Sequence, residues 1–143
     1  MNFWDASALV QLYLRESRVE ALESILESDP NCAIWWGTHV EYASAISRRE
    51  REGDLGPDQS ADLFRRFDEL VLQGFHEIAP THRLRSTARR LLRVHSLKAA
   101  DALQLAAAIQ VADNEPSQIG FVCLDARLNE AARREGFPIL VNR

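Results

Sequence analysis

Four carboxylates hold the chemistry this sequence can offer: Asp5, Glu41, Asp101 and Asp125. Asp101 discriminates between readings. It lies in Leu97-Lys98-Ala99-Ala100-Asp101-Ala102-Leu103-Gln104-Leu105-Ala106-Ala107-Ala108-Ile109, which reads as a helix packed on most sides. Leu97 and Leu105 stand four residues before and after it, so all three share one stripe, and that stripe should face the core. An ionised carboxylate there is costly unless a cation answers it. Lys98, Arg93 or His95 could pair with it, or a divalent ion could be held among the four acids. Hard oxygen donors without a thiolate or imidazole cluster favour Mg²⁺ or Mn²⁺ over Zn²⁺. Without an ion, such a cluster repels itself and raises its own pKa values. With one, it suits phosphodiester cleavage, because the ion activates water and stabilises charge on the attacked and leaving oxygens.

The other three acids also admit structural roles. Asp5 and Asp125 each follow an apolar run and could cap the next helix. Thr38-His39-Val40-Glu41 fits a capping box, a Thr with an acid three residues on. Ser7 and Thr38 could cap as well, or orient a carboxylate or a bound water.

The elements that must position these groups alternate along the chain. Phe3-Trp4 reads as a brief strand, followed by helices from Ala8 to Leu14 and from Arg18 to Glu27, the latter with Ser17 as N-cap. Cys32 to Trp36 is a second strand, with both Trp35 and Trp36 read as core. A helix from Val40 to Arg51 is broken at Gly53-Asp54-Leu55-Gly56, and the next starts at Pro57 and lasts to Gly74. Phe75 to Ala79 is a third strand. Helices from Arg83 to Val94 and Leu97 to Ala112 precede a strand from Ile119 to Leu124. A helix from Leu128 to Glu135 and a strand Ile139-Leu140-Val141 finish the chain. Strands separated by helices predict a mainly parallel central sheet in a three-layer α/β/α domain spanning 1–143. Asp5 and Asp125 then fall at the carboxyl ends of strands, where ligands of open α/β sheets bind, and Glu41 lies within a turn of the same rim.

Composition limits the alternatives. The 143 residues suffice for one domain with a real core, and 46% hydrophobic with 27% charged residues is ordinary for a globular protein. No apolar run is long enough to span a membrane. The opening Met1-Asn2-Phe3-Trp4-Asp5 has no basic region and no following apolar stretch, so a cytoplasmic location is expected. Cys32 and Cys123 sit inside apolar runs and read as reduced core residues. A net charge of −4 argues against a broad basic surface but not against a local one.

The sequence resembles the PIN-domain ribonucleases, specifically the VapC-type toxins of prokaryotic toxin–antitoxin pairs. The resemblance rests on Phe3-Trp4-Asp5-Ala6-Ser7-Ala8-Leu9, on Thr38-His39-Val40-Glu41, on the Leu97–Ala108 stretch and on Phe121-Val122-Cys123-Leu124-Asp125-Ala126-Arg127-Leu128-Asn129-Glu130-Ala131-Ala132. The last two together are the specific part. It implies an endoribonuclease dependent on Mg²⁺ or Mn²⁺, with Asp5, Glu41, Asp101 and Asp125 as the acidic quartet and Asp5 and Asp101 as metal ligands. It also implies a cognate antitoxin covering the active site, and a homodimer. Many relatives carry Thr where Cys123 stands, which alters the hydration expected at the site.

A track for RNA is also legible. No acid occurs between Glu77 and Asp101, while Arg85, Arg89 and Arg93 recur every four residues as one helical stripe. Arg48, Arg49 and Arg51 form a second cluster, interleaved with Glu50 and Glu52 and therefore less persuasive. The competing reading is a catalytically silent PIN-like RNA- or protein-binding module. A haloacid-dehalogenase-type phosphatase would need an acid where Ser7 stands, and a receiver domain would need an acidic pair where only Asp5 is found.

Overall fold

The computed structural model describes residues 1–141. Within them four parallel strands form one sheet in the order β3-β2-β1-β4: β1 (Asn2–Trp4), β2 (Cys32–Trp35), β3 (His76–Ile78) and β4 (Gly120–Val122). The helices are α1 (Ala6–Leu14), α2 (Val19–Ser28), α3 (Thr38–Arg51), α4 (Pro57–Leu72), α5 (His82–Val94), α6 (Ala99–Ala112) and α7 (Ala126–Arg134), with a 3₁₀ turn at Pro116–Gln118.

The period of two along each strand sorts the core into two layers. Phe3, Ala33, Trp35, Phe121 and Cys123 face α5, α6 and α7 with Leu84, Leu91, Leu105 and Leu128. Trp4, Cys32, Ile34 and Val122 face the opposite layer, with Leu9 of α1, Leu22 of α2, Tyr42 of α3 and Phe67 of α4. Tyr42 stacks on Phe67 at a centroid distance of 4.1 Å, and its hydroxyl donates to the Leu63 carbonyl at 2.7 Å. The chain runs outward from β1 through β2 to β3, then returns to lay β4 on the other side of β1. The switch point therefore lies between β1 and β4, where a crevice opens at the carboxyl ends. The Asp5 amide extends this pairing by donating to the Val122 carbonyl at 2.9 Å.

Several sequence expectations change. Ile139-Leu140-Val141 is not a full strand; Ile139 makes one parallel bridge to Phe121. The α2 helix begins after Arg18, whose backbone is left-handed, and Ser17 does not cap it. Trp35 is buried but Trp36 is 54% exposed, because β2 ends at Trp35 and the chain turns out of the sheet through Gly37. The third strand is shorter than expected and lies at a sheet edge, with His76 and Glu77 exposed. Both cysteines are buried free thiols. Among the described residues no helix is long and apolar enough to cross a membrane.

Candidate active site

Asp5, Glu41, Asp101 and Asp125 all line one cleft of about 560 Å³ at the switch point, together with Ser7, Gln11, Ser17, Arg18, Arg48, Arg49 and Leu124. Each acid comes from a different element. Asp5 follows β1 and caps α1, accepting the Ser7 amide on Oδ2 at 3.0 Å. Asp125 follows β4 and caps α7, accepting the Leu128 amide on Oδ1 at 2.9 Å. Capping and cleft-lining are thus compatible, since a carboxylate has two oxygens.

Asp5 is almost fully buried, and the hydrogen bonds it receives all end on Oδ2. The Ser7 hydroxyl donates to that oxygen at 2.5 Å and the Cys123 thiol at 3.5 Å. Ser7 Oγ in turn accepts the Leu124 amide at 3.0 Å, which ties the end of β4 to the start of α1. This leaves Oδ1 as the free oxygen of Asp5 among the described residues. Burial holds the Cys123 thiol far above its ordinary pKa, with the Asp5 charge adding to the effect, so no soft thiolate enters the site.

Glu41 and Thr38 do not form the expected capping box. Thr38 is already the first helical residue, after Gly37. Both side chains are instead held by Gln104 of α6, which is fully buried. Gln104 Nε2 donates to Glu41 Oε2 at 2.7 Å and to Thr38 Oγ1 at 3.1 Å. Among the described residues its Oε1 is a buried acceptor with no partner. Nothing in the sequence reading singled out Gln104. Its signal was a polar residue three positions after Asp101 in an otherwise Ala/Leu helix.

Asp101 stands in the first turn of α6, half-buried rather than deep in the core. The position supplies a structural reason for an acid that the stripe alone did not suggest. The helix N-terminus favours negative charge, and the Lys98 backbone N–H stabilises the ionised carboxylate. Among the described residues no basic side chain forms an ion pair with it; Lys98 and Arg127 act only through longer-range attraction. His95 pairs with Glu135 instead, at 2.7 Å.

The electrostatics are those of buried carboxyls that also crowd one another. Burial first, then the charge of Asp5 and further that of Asp101, push Glu41 up to about 7, against the opposing Gln104 bond. Asp5 is raised by burial and by Asp101. Asp101 is raised by burial and by Asp125. The donor set is hard oxygen, and the repulsion it stores would be relieved by a cation. Among the described residues no three His, Cys, Asp or Glu side chains form a ready-made metal cage. An open site fits Mg²⁺, which keeps several waters and takes one or two carboxylates.

Arg85, Arg89 and Arg93 do not line this cleft. They lie on the exposed face of α5, where Arg89 and Arg93 border a separate groove of about 820 Å³ with Arg90. The basic residues brought to the acids are Arg18, Arg48 and Arg49.

The PIN domain family model matches residues 3–134. The chain belongs to the PIN domain family. PIN domains are generally nucleases that use divalent metals, which places the chain among families of hydrolases acting on nucleic acids. This PIN domain is similar to a toxin–antitoxin complex from Klebsiella pneumoniae at 18% identity, with 89% of this chain and 88% of that chain covered and a TM-score of 0.60. It is similar to FitAcB from Neisseria gonorrhoeae at 15% identity, covering 97% and 96% with a TM-score of 0.66. PAE2754 from Pyrobaculum aerophilum shares 20% identity over 97% of this chain and 83% of that chain, with a TM-score of 0.63. At these identities the likeness establishes the fold. No curated protein matches this PIN domain in sequence.

Proposed function

We propose that this PIN domain is a metal-dependent endoribonuclease of the VapC-like toxin class, cleaving RNA phosphodiester bonds and neutralised by a cognate antitoxin. The observation that carries the reading is the convergence of Asp5, Glu41, Asp101 and Asp125, from four separate elements, on one cleft. Asp5 and Asp101 would hold Mg²⁺ or Mn²⁺, Asp5 through Oδ1. When bound, such an ion would supply Lewis acidity toward the phosphodiester and offset the repulsion among the carboxylates. Ser7 and Cys123 keep Asp5 fixed through Oδ2. Glu41, with its pKa near 7 and its orientation set by Gln104, can take a proton from an attacking water. Thr38 acts through the same Gln104 amide.

Partners follow the same reading. The similarity to a toxin–antitoxin complex supports an antitoxin partner for this chain too, and the resemblance to the VapC-type toxins carries the homodimer. The exposed arginines of α5, Arg85, Arg89 and Arg93, would serve as an outer track for RNA phosphates. The decisive experiment incubates the purified chain with total RNA. Cleavage should require Mg²⁺ or Mn²⁺, stop with a chelator, and vanish in Asp5→Asn and Asp101→Asn proteins that still fold. Retained cleavage in Asp101→Asn overturns the metal-site assignment. A wild-type chain that binds RNA without cleaving it points to the silent binding module.

A further inference from the structure

The α3 helix presents two kinds of charge to the cleft from one face. Glu41, Ala45, Arg48 and Arg49 all line it: Ala45 is four residues after Glu41, and Arg48 and Arg49 are three and four after Ala45. At about 1.5 Å of rise per residue, Arg49 stands about 12 Å along the axis from Glu41. The floor of the cleft therefore carries acids, and one wall carries guanidinium groups.

Arg49 is already engaged as an anion receptor. Its Nη2 and Nε donate to the two carboxylate oxygens of Glu16, at 2.8 and 3.3 Å. This is the two-pronged geometry by which guanidinium grips either a carboxylate or a phosphate. The two ends of the pair differ. Arg49 is only 17% exposed and is also braced by the Ala45 carbonyl at 3.1 Å. Glu16 is 51% exposed and belongs to a short strap between α1 and α2. Gln11 supports that strap, accepting the Glu16 and Ser17 amides at 2.9 and 3.0 Å. Only the Glu16 side of the pair is solvated, where its carboxylate is held besides by Gln11 Nε2 at 3.0 Å, so the Glu16 end is the one a competing anion can displace. Arg49 is thus fixed, and its anion is replaceable.

We propose that Arg49, assisted by Arg48, binds a phosphate of the RNA strand flanking the scissile bond, and that Glu16 occupies that place in the free protein. The inference rests on the nuclease reading above. It solves an electrostatic problem of that site: a polyanion entering a floor of carboxylates needs positive charge on the wall.

The test is the affinity of a fluorescein-labelled single-stranded RNA for the Asp101→Asn protein in Mg²⁺, measured across a salt series. R49Q should weaken binding about tenfold and reduce the slope of log affinity against log salt by about 0.7, the value for one phosphate contact on a single strand. R49K, which keeps the charge but loses the fork, should fall between. E16Q should tighten binding about threefold by removing the competing carboxylate. The opposite signs are diagnostic, since either substitution breaks the pair and a purely structural pair would shift affinity in one direction. Loss of affinity in both, or an unchanged slope in R49Q, overturns the inference while leaving the nuclease reading intact. A labelled polyglutamate peptide that binds where RNA does not overturns it in favour of an acidic protein partner. Wild-type protein that neither binds nor cleaves RNA overturns the nuclease reading itself.

Discussion

Gln104 Nε2 reaches across from α6 to donate to Glu41 Oε2 on α3 at 2.7 Å, and this bond fixes where one of the four cleft acids points. The same nitrogen holds Thr38, so both its protons are used. Gln104→Leu removes both bonds and the partnerless Oε1 together. The change relieves the orphan acceptor but leaves the buried Thr38 hydroxyl and the Glu41 carboxylate without their donor, so stability should fall by about 1–3 kcal/mol. RNA cleavage should fall about tenfold or more in kcat with KM nearly unchanged, because only the orientation of Glu41 is lost. Gln104→His keeps a donor at the position and should restore part of the rate. A raised KM with kcat unchanged would show that Gln104 shapes binding and not Glu41.

Cys123 tests the neighbouring acid. Its thiol shares Asp5 Oδ2 with Ser7 at 3.5 Å, a long and weak contact. Cys123→Thr supplies a stronger hydroxyl donor, at a cost of about 1 kcal/mol for the extra methyl in a packed layer. Cleavage by this variant should stay within about threefold of wild type. Cys123→Ala removes the donor and should lower cleavage more than Cys123→Thr does. Equal rates in Ala and Thr variants would show that Ser7 alone fixes Asp5.

The raised carboxyl pKa values make the metal-free protein sensitive to pH. Glu41 titrates from about 4.5 when unfolded and near 7 when folded. The folded state thus binds its proton more tightly. That stabilisation is full below about 4.5 and is lost as pH rises through about 7. Burial and neighbouring charge shift Asp5 and Asp101 in the same direction. In chelator, the urea midpoint should be higher at about pH 5.5 than at about pH 8, and Glu41→Gln should flatten the difference. Saturating Mg²⁺ should reverse the trend by favouring the ionised carboxylates. A midpoint independent of pH over this range would mean that burial and neighbouring charge do not hold these carboxyls above their ordinary values.

The sequence disclosed the order of the layers but not the contacts across them. Helical periodicity placed the seven helices of the described residues, because each buries a stripe or is packed all round. Strand ends were less legible: Ile139-Leu140-Val141 is as apolar as a strand, yet pairs only through Ile139. Trp36 was misplaced for the same reason, since hydrophobicity does not reveal where a sheet stops. The cleft acids were visible as charges adjoining strand ends or on an apolar helix. The Gln104 bond to Glu41 was not, because it joins residues 63 positions apart. Arg48 and Arg49 were undervalued, because interleaved Glu50 and Glu52 point elsewhere once the helix forms and do not line the cleft.

Glu135, just past α7, ties that helix to the end of α5 and to the segment that launches α6. Its carboxylate accepts from Arg90 Nη2 at 3.0 Å and pairs with His95 Nε2 at 2.7 Å. Burial works against its charge, but the bonds to Arg90 and His95 outweigh this and hold its pKa below the usual value. The stability it contributes is therefore present above its unfolded pKa, about 4.5, and is lost as pH falls through the lowered folded value. The His95 side chain is only 5% exposed. Glu135→Ala leaves it without its partner and should cost about 1–3 kcal/mol at neutral pH. Glu135→Gln retains an acceptor and should cost less. Glu135 lies outside the acidic cleft, so the kcat for RNA measured well below the melting temperature should hold in both variants. A kcat that falls in step with stability would mean that this tie sets the position of Asp101, which stands in the first turn of its helix, only six residues after His95.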